Sequence, residues 1–283
     1  MISGKTSIYG IFGHPVEHTF SPGMHNAAFV RIGLDGCYVP FAVRPDELAK
    51  AMKAIIPLGL CGLNITVPHK EKVIPFLDGL TNDARLFGAV NTIEVKDRKL
   101  IGHNTDGKGF LRSLREETGF RPKGKTFLMV GSGGAARAVC FNLAFSGAGG
   151  ILLYDIDHGK AEKLGRDIRS ATATRITVLD ASGLRTLAQN ADCIINATPL
   201  GLKKSDPLPL SRDLIRKGQM VCDLVYNPPD TRLLRTAQTR GAKTLSGIGM
   251  LLYQGVVAFE IWTGKKAPVS VMKKALARQM QDR

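Results

Sequence analysis

The chain's clearest chemical signal is the run Gly131-Ser132-Gly133-Gly134-Ala135-Ala136, a GxGxxA pattern set directly behind the apolar run 126–130. Strand, glycine loop and helix in that order form the fingerprint of a dinucleotide-binding turn. Gly131 allows the tight turn, Gly133 lets backbone N–H groups reach a pyrophosphate, and Ala136 keeps helix and strand close. The start of the helix then offers a partial positive charge to the phosphates. Asp155 closes the next predicted strand, 24 positions beyond Gly131. A carboxylate there accepts both ribose hydroxyls of NAD and repels the 2′-phosphate of NADP. The spacing therefore predicts NAD, with NADP as the alternative and Lys160 and Lys163 as the nearby cations that could favour it. Asp157 reads as a turn or helix-capping residue.

Four further segments combine a predicted strand end with polar side chains and turn formers. They are Gly13-His14-Pro15-Val16-Glu17-His18-Thr19-Phe20-Ser21-Pro22, Asn64-Ile65-Thr66-Val67-Pro68-His69-Lys70, Gly88-Ala89-Val90-Asn91-Thr92 and Asn104-Thr105-Asp106-Gly107. Ligands of open α/β sheets bind at such carboxyl ends. Read singly, each polar residue is a turn or capping residue: Lys70 at the start of a helix, Asp106 in a turn.

The elements that must carry these segments alternate. Short β-rich runs at 8–12, 37–43 and 62–67 are separated by amphipathic stretches at 22–32 and 45–56, which predicts βαβ units, and 90–95 with 99–103 predicts a closing hairpin. A helix at 107–118 leads to a basic, Gly- and Pro-containing break at 119–124. Strands at 126–130, 151–154, 175–179, 193–197 and 220–225, with helices at 134–145 and 160–169, make the second unit doubly wound. Helices at 250–262 and 269–279 follow. The fold class is thus α/β: an N-terminal open α/β substrate domain plus a Rossmann-type dinucleotide-binding domain.

Composition agrees with an enzyme of this kind. The 283 residues are 44% hydrophobic and 22% charged, with 31 Gly, 14 Pro and no repeat, which excludes fibrous and largely disordered classes. A chain this long buries about three quarters of its unfolded surface and needs no staple. Cys37, Cys61, Cys140, Cys193 and Cys222 are odd in number and form no CxxC pair, so neither a disulfide framework nor a zinc site is expected. No apolar run approaches the ~18 residues of a membrane span, and no basic leader precedes an apolar segment. A cytoplasmic setting without membrane partners follows as the expectation. The net charge of +15 is spread along the chain, apart from short clusters at 121–125 and 265–283, and no basic stripe is interleaved with aromatics. A solvated basic surface, not a nucleic-acid partner, is the reading.

Together with Asn196-Ala197-Thr198-Pro199-Leu200-Gly201, Asp223-Leu224-Val225-Tyr226-Asn227-Pro228 and Gly247-Ile248-Gly249-Met250-Leu251, these segments resemble the shikimate dehydrogenase family in order from Gly10 to Gly264. The resemblance implies reversible oxidation of shikimate to 3-dehydroshikimate with a nicotinamide dinucleotide, in the pathway to aromatic amino acids. It implies Lys70 and Asp106 as a coupled proton-handling pair. Ser21, Thr19 and Tyr226 would hold the substrate carboxylate, and Thr66, Asn91 and Gln254 would read the ring hydroxyls. Gly131, Ser132, Gly133, Gly134, Ala135 and Asp155 would hold the dinucleotide, with Leu224 and Gly247 beside the nicotinamide. No metal is implied; His14, His18 and His69 lack ligand spacing. The family often carries Ser where Thr19 stands, and many members place an Asn-Arg-Thr phosphate turn where Asp155 stands. The implied domains are 1–105 for substrate, 106–245 for dinucleotide, and 246–283 returning to the first, with ligands in a closing cleft. A monomer or homodimer fits. Quinate is the alternative substrate. A catalytically silent dinucleotide sensor, a nucleic-acid binder and a folate-type dehydrogenase/cyclohydrolase are disfavoured by the complete set of family motifs and by the SPxxHN segment, Ser21 to Asn26.

Overall fold

The computed structural model describes residues 2–281. The chain divides into two units, one of residues up to Thr105 together with those from Gln254 onward, the other Asp106–Tyr253.

The first unit holds a six-stranded sheet built from β1 (Ser7–Gly13), β2 (Gly36–Ala42), β3 (Leu60–Ile65), β4 (Gly79–Leu80), β5 (Thr92–Lys96) and β6 (Lys99–His103), in the order β2-β1-β3-β5-β6-β4. β1 pairs in parallel with both β2 and β3, whereas β5 runs antiparallel to β3 and β6. The hairpin expected from the sequence is therefore present. Its two-residue turn places Asp97 and Arg98 at φ 48° and 57°, the left-handed pair that matches the twist of flanking strands. Because β5 is reversed, its first residues lie beside the last residues of β3, with Asn64 opposite Thr92. That reversal gathers the segments after β1, after β3 and before β5 at one sheet edge.

Helices α1 (Ser21–Arg31), α2 (Leu48–Ala54) and α3 (Asn82–Phe87) belong to this unit, as does α10 (Val269–Gln281), which packs on α1. Phe12, Leu48, Met52, Leu63, Ile65 and Ile93 form a buried cluster on one face of the sheet. Each such side chain contributes roughly 1.5–3 kcal/mol on burial. α3 escaped the sequence reading because its six residues make less than two turns. It is fixed by Thr81, whose hydroxyl accepts the Ala84 N–H, and ends at a left-handed Gly88.

The second unit is a six-stranded, wholly parallel sheet. Its strands are β7 (Thr126–Val130), β8 (Gly150–Tyr154), β9 (Arg175–Val178), β10 (Cys193–Asn196), β11 (Met220–Asp223) and β12 (Lys243–Ser246), ordered β12-β11-β10-β7-β8-β9. This is the doubly wound order with its switch point between β7 and β10, where such sheets bind dinucleotides. The expected fold class is observed. Continuous apolar runs mark strands covered on both faces: Phe127, Leu128 and Met129 are fully buried, as are Ile194 and Ile195.

α4 (Asp106–Thr118), α5 (Gly134–Phe145), α6 (His158–Ala171), α7 (Ala181–Leu187) and α8 (Arg232–Thr239) flank the sheet. The sequence reading missed α7 and α8, which are short and depend on caps: Asp180 accepts the Gly183 N–H, and Thr231 accepts that of Leu234. Asp157 caps α6 as expected, accepting the Lys160 N–H. α9 (Gly247–Thr263) starts in the second unit and continues into the first, which the chain rejoins at Gln254.

All five cysteines are thiols; Cys37 and Cys61 are half-buried in the first unit, and Cys140, Cys193 and Cys222 are buried in the second. No described helix is long and apolar enough to cross a membrane.

Candidate active site

The GxGxxA loop lies between β7 and α5, at the switch point. Gly131 has φ +101°, donates its N–H to Tyr154 O at 2.7 Å, and faces Ala197 so closely that a Cβ would fall 3.0 Å from that residue's carbonyl atoms. Only glycine meets both demands. α5 begins at Gly134 with no side chain capping its first turn, so N–H groups there remain available to an anion. The Ser132 hydroxyl is buried with no partner, and the space beside Gly133 is open for 4 Å around a Cβ position. Ala136 is fully buried. An unpartnered donor, oriented backbone amides and open space together fit a pyrophosphate.

The loops after β10 and β11 are tied to each other. Asn196 donates from Nδ2 to Asp223 Oδ1 at 2.9 Å and to Leu200 O at 3.1 Å, while its Oδ1 accepts the Thr198 N–H and hydroxyl at 3.0 and 2.7 Å. Burial pushes the Asp223 carboxyl above the usual carboxylate range, against the pull of hydrogen bonds from Thr231, Val225 and Asn196. The Leu224 N–H donates to Asn196 O at 2.9 Å. α9 starts against this segment: a Cβ at Gly247 would lie 2.5 Å from Leu224 O. Leu224 and Gly247, assigned together from the sequence, are thus neighbours. Tyr226 is half-buried on the same loop.

In the first unit, Ser21 is the first residue of α1 and only 2% exposed; its N–H donates to Thr19 Oγ1 at 3.2 Å. Thr66 follows β3 and is clamped by its backbone to Phe12 O at 3.0 Å and to the His69 N–H at 2.9 Å. Asn91 is buried and forms a hub. Its Oδ1 accepts the Thr105 N–H at 2.8 Å and the Thr92 hydroxyl at 3.1 Å, and its Nδ2 faces Thr105 Oγ1 at 2.9 Å and Gln254 Oε1 at 3.5 Å. The fold brings Asn91 and Gln254 together across 163 positions of sequence.

Lys70 and Asp106 exchange the local settings expected of them. Lys70 is half-buried in a turn with no α-helix behind it, its carbonyl accepting the Val90 N–H at 2.8 Å. Asp106 is the first residue of α4 and 4% exposed. Pro68 before Lys70 and the short 3-10 turn Ile74–Phe76 after it keep that segment from becoming an α-helix. Lys70 belongs to the first unit and Asp106 opens the second.

His14 and His18 are exposed, and His69 is buried with Nε2 donating to Val43 O at 2.7 Å. Among the described residues no group of three or more His, Cys, Asp or Glu is placed to hold a metal ion. Part of the basic excess gathers at the amino ends of β7, β11 and β12, around a cavity lined by Arg121, Lys123, Lys125, Arg216 and Lys243 with Asp192. Sequence reasoning singled out neither Tyr38 nor the side chain of Asn64. Tyr38 sits inside an apolar strand, where a buried aromatic carries no signal of its own.

A wholly parallel, doubly wound unit with a glycine loop at its switch point, joined in one chain to a second open α/β unit, defines a two-unit dinucleotide-dependent dehydrogenase. Comparison with known proteins makes the class specific. Residues 11–93 match the shikimate dehydrogenase substrate binding domain, and 247–277 the shikimate 5′-dehydrogenase C-terminal domain. A shikimate dehydrogenase (NADP(+)) from Desulforamulus reducens is 49% identical over 99% of this chain and 97% of its own. A shikimate dehydrogenase crystallised with NADP+ superimposes with TM-score 0.90 at 42% identity, covering 99% of this chain and 98% of the other. The Thermus thermophilus enzyme in complex with NADP(H) and shikimate gives TM-score 0.88 at 33% identity, over 96% and 99%. The chain belongs to the shikimate dehydrogenase family.

These relatives overturn the expectation of NAD, since their names and complexes carry NADP. The structure supplies a physical reason for the misreading of Asp155. Its Oδ1 accepts the Asp157 N–H at 2.9 Å, an Asx turn that leads into the Asp157 cap of α6. A carboxylate here therefore has a structural use of its own and is not by itself a sign of a ribose partner.

Proposed function

We propose that this protein catalyses the reversible, NADP-dependent oxidation of shikimate to 3-dehydroshikimate. The observation that carries the reading is the concentration of neutral hydrogen-bonding side chains, Ser21, Thr66, Asn91 and Gln254, around one edge of the first sheet that also bears Lys70. A cyclohexene ring with several hydroxyls and one carboxylate is the kind of substrate such a set recognises.

NADP, when bound, supplies the nicotinamide carbon that accepts hydride. The N–H groups at the start of α5 and the Ser132 hydroxyl hold its pyrophosphate, and Gly247 and Leu224 border the nicotinamide. Ser21, with Thr19 and Tyr226, takes the substrate carboxylate, and Thr66, Asn91 and Gln254 take the ring hydroxyls. Lys70 receives the proton of the reacting hydroxyl as its carbon gives up hydride, so that the C–O bond becomes C=O. Asp106 shares that proton load as the partner of Lys70.

The test is to follow nicotinamide reduction by the purified protein with shikimate and with quinate. Turnover of shikimate with NADP at the higher kcat/KM supports the reading. Absence of shikimate turnover, or a higher kcat/KM for quinate, overturns it.

A further inference from the structure

The SPxxHN segment converges on one buried side chain that the roles above leave unused. Along α1, His25 stacks on the Tyr38 ring with centroids 4.4 Å apart and planes 10° from parallel, and Asn26 grips the Tyr38 backbone from both sides. Asn26 Nδ2 donates to Tyr38 O at 2.9 Å, and its Oδ1 accepts the Tyr38 N–H at 2.8 Å. Tyr38 itself is 1% exposed.

From the Tyr38 hydroxyl a directional chain of hydrogen bonds runs through the first unit. The hydroxyl donates to Asn64 Oδ1 at 2.8 Å. Asn64 Nδ2 donates to Thr92 Oγ1 at 3.1 Å and to Asn91 O at 3.2 Å. The Thr92 hydroxyl donates to Asn91 Oδ1 at 3.1 Å, and Asn91 Nδ2 donates onward to Thr105 and Gln254. Asn64, Thr92 and Asn91 are each no more than 3% exposed. A phenol has one proton, and here it is committed to Asn64.

We propose that Tyr38 is a positioning residue of the substrate pocket, holding the amide of Asn91 through Asn64 and Thr92. The inference rests on the pocket assignment made under the proposed function. It explains why α1 commits two side chains, His25 and Asn26, to a residue outside the assigned pocket. Hydroxyl recognition at Asn91 becomes one end of a buried network whose members depend on each other's orientation.

Tyr38→Phe keeps the ring and its stack on His25 and removes one oxygen. KM for shikimate should rise about tenfold, the effect of roughly one lost hydrogen-bonded placement, with kcat within about twofold and KM for NADP unmoved. In a Thr92→Val background the same change should raise KM by less than about twofold, because the chain to Asn91 is already cut. Should Tyr38→Phe fail to fold, the nearly isosteric Thr92→Val cuts the chain between Asn64 and Asn91, and the same split of constants is expected. An unmoved or lower KM for shikimate, an equal rise in KM for NADP, a loss confined to kcat, or additivity with Thr92→Val overturns the role of Tyr38. The parent chain separates the two claims: without shikimate turnover the proposed function fails, whereas parent turnover with an unmoved constant in the variants removes only the positioning role.

Discussion

Thr231 donates its hydroxyl to Asp223 Oδ2 at 2.6 Å while the same oxygen accepts the Leu234 N–H at 3.3 Å, so one side chain both caps α8 and anchors the loop after β11. Asp223→Ala would leave Thr231, Asn196 Nδ2 and the Val225 N–H without their shared acceptor. Loss of about 3–5 kcal/mol in unfolding free energy is expected. Denaturant titration of this variant, of Thr231→Val and of the double variant checks it, and the two losses should be strongly non-additive.

His25 is enclosed by Tyr38, Phe29, Phe259 and Trp262, and neither ring nitrogen has a hydrogen-bond partner. Burial pulls its pKa down to about 3, against ~6.5 for an exposed histidine. The unfolded chain therefore binds this proton more readily than the folded one. The stability His25 allows is present above pH ~6.5 and is lost as pH falls toward the folded value, by about 1.4 kcal/mol per pH unit. His25→Phe should flatten that acid limb. Chemical denaturation of both proteins at pH ~7 and pH ~5 gives the comparison; equal slopes would show that His25 is not its source.

Gly131→Ala forces a side chain into a left-handed backbone against Ala197. A destabilisation of about 1–3 kcal/mol is expected from the strain. KM for NADP should rise more than about tenfold, since displaced amides lose the pyrophosphate. Equilibrium binding of shikimate alone should be retained, and calorimetric titration reads both ligands.

Lys70→Ala should lower kcat by a factor on the order of 10²–10⁴, the usual worth of a positioned acid/base group. Folding should survive, because the segment is held by backbone bonds of His69 and Lys70. A correctly folded Lys70→Ala protein with near-parental kcat would remove Lys70 from the chemistry.

Most of the architecture could be read from the chain because its signals are local and redundant. The run at 126–130 is apolar throughout and is followed at once by glycines, so strand, loop and helix were fixed by composition alone. α7 and α8 were not legible, since two turns cannot establish a 3.6-residue period and their caps look like any loop Asp or Thr. The polar motifs after β1 and β3 stood out, whereas Asn91 and Gln254 owe their meeting to the reversal of β5 and to the return of the chain along α9. Asp155 misled because one carboxylate at a strand end suits a ribose and an Asx turn equally well. Tyr38 was silent for a different reason: its importance lies in what surrounds it, and a strand pattern records only that it is buried.

The division of the five thiols gives the molecule a built-in clock for its own opening. Cys37 and Cys61 lie part-exposed in the first unit, and Cys140, Cys193 and Cys222 are sealed in the second. Burial also raises the Cys140 and Cys193 thiols well away from the reactive thiolate. Alkylation of the native protein should therefore proceed in two kinetic classes, two thiols promptly and three only when the parallel sheet breathes. The slow class reports the second unit alone, and its protection by NADP would measure how far the dinucleotide holds that sheet shut.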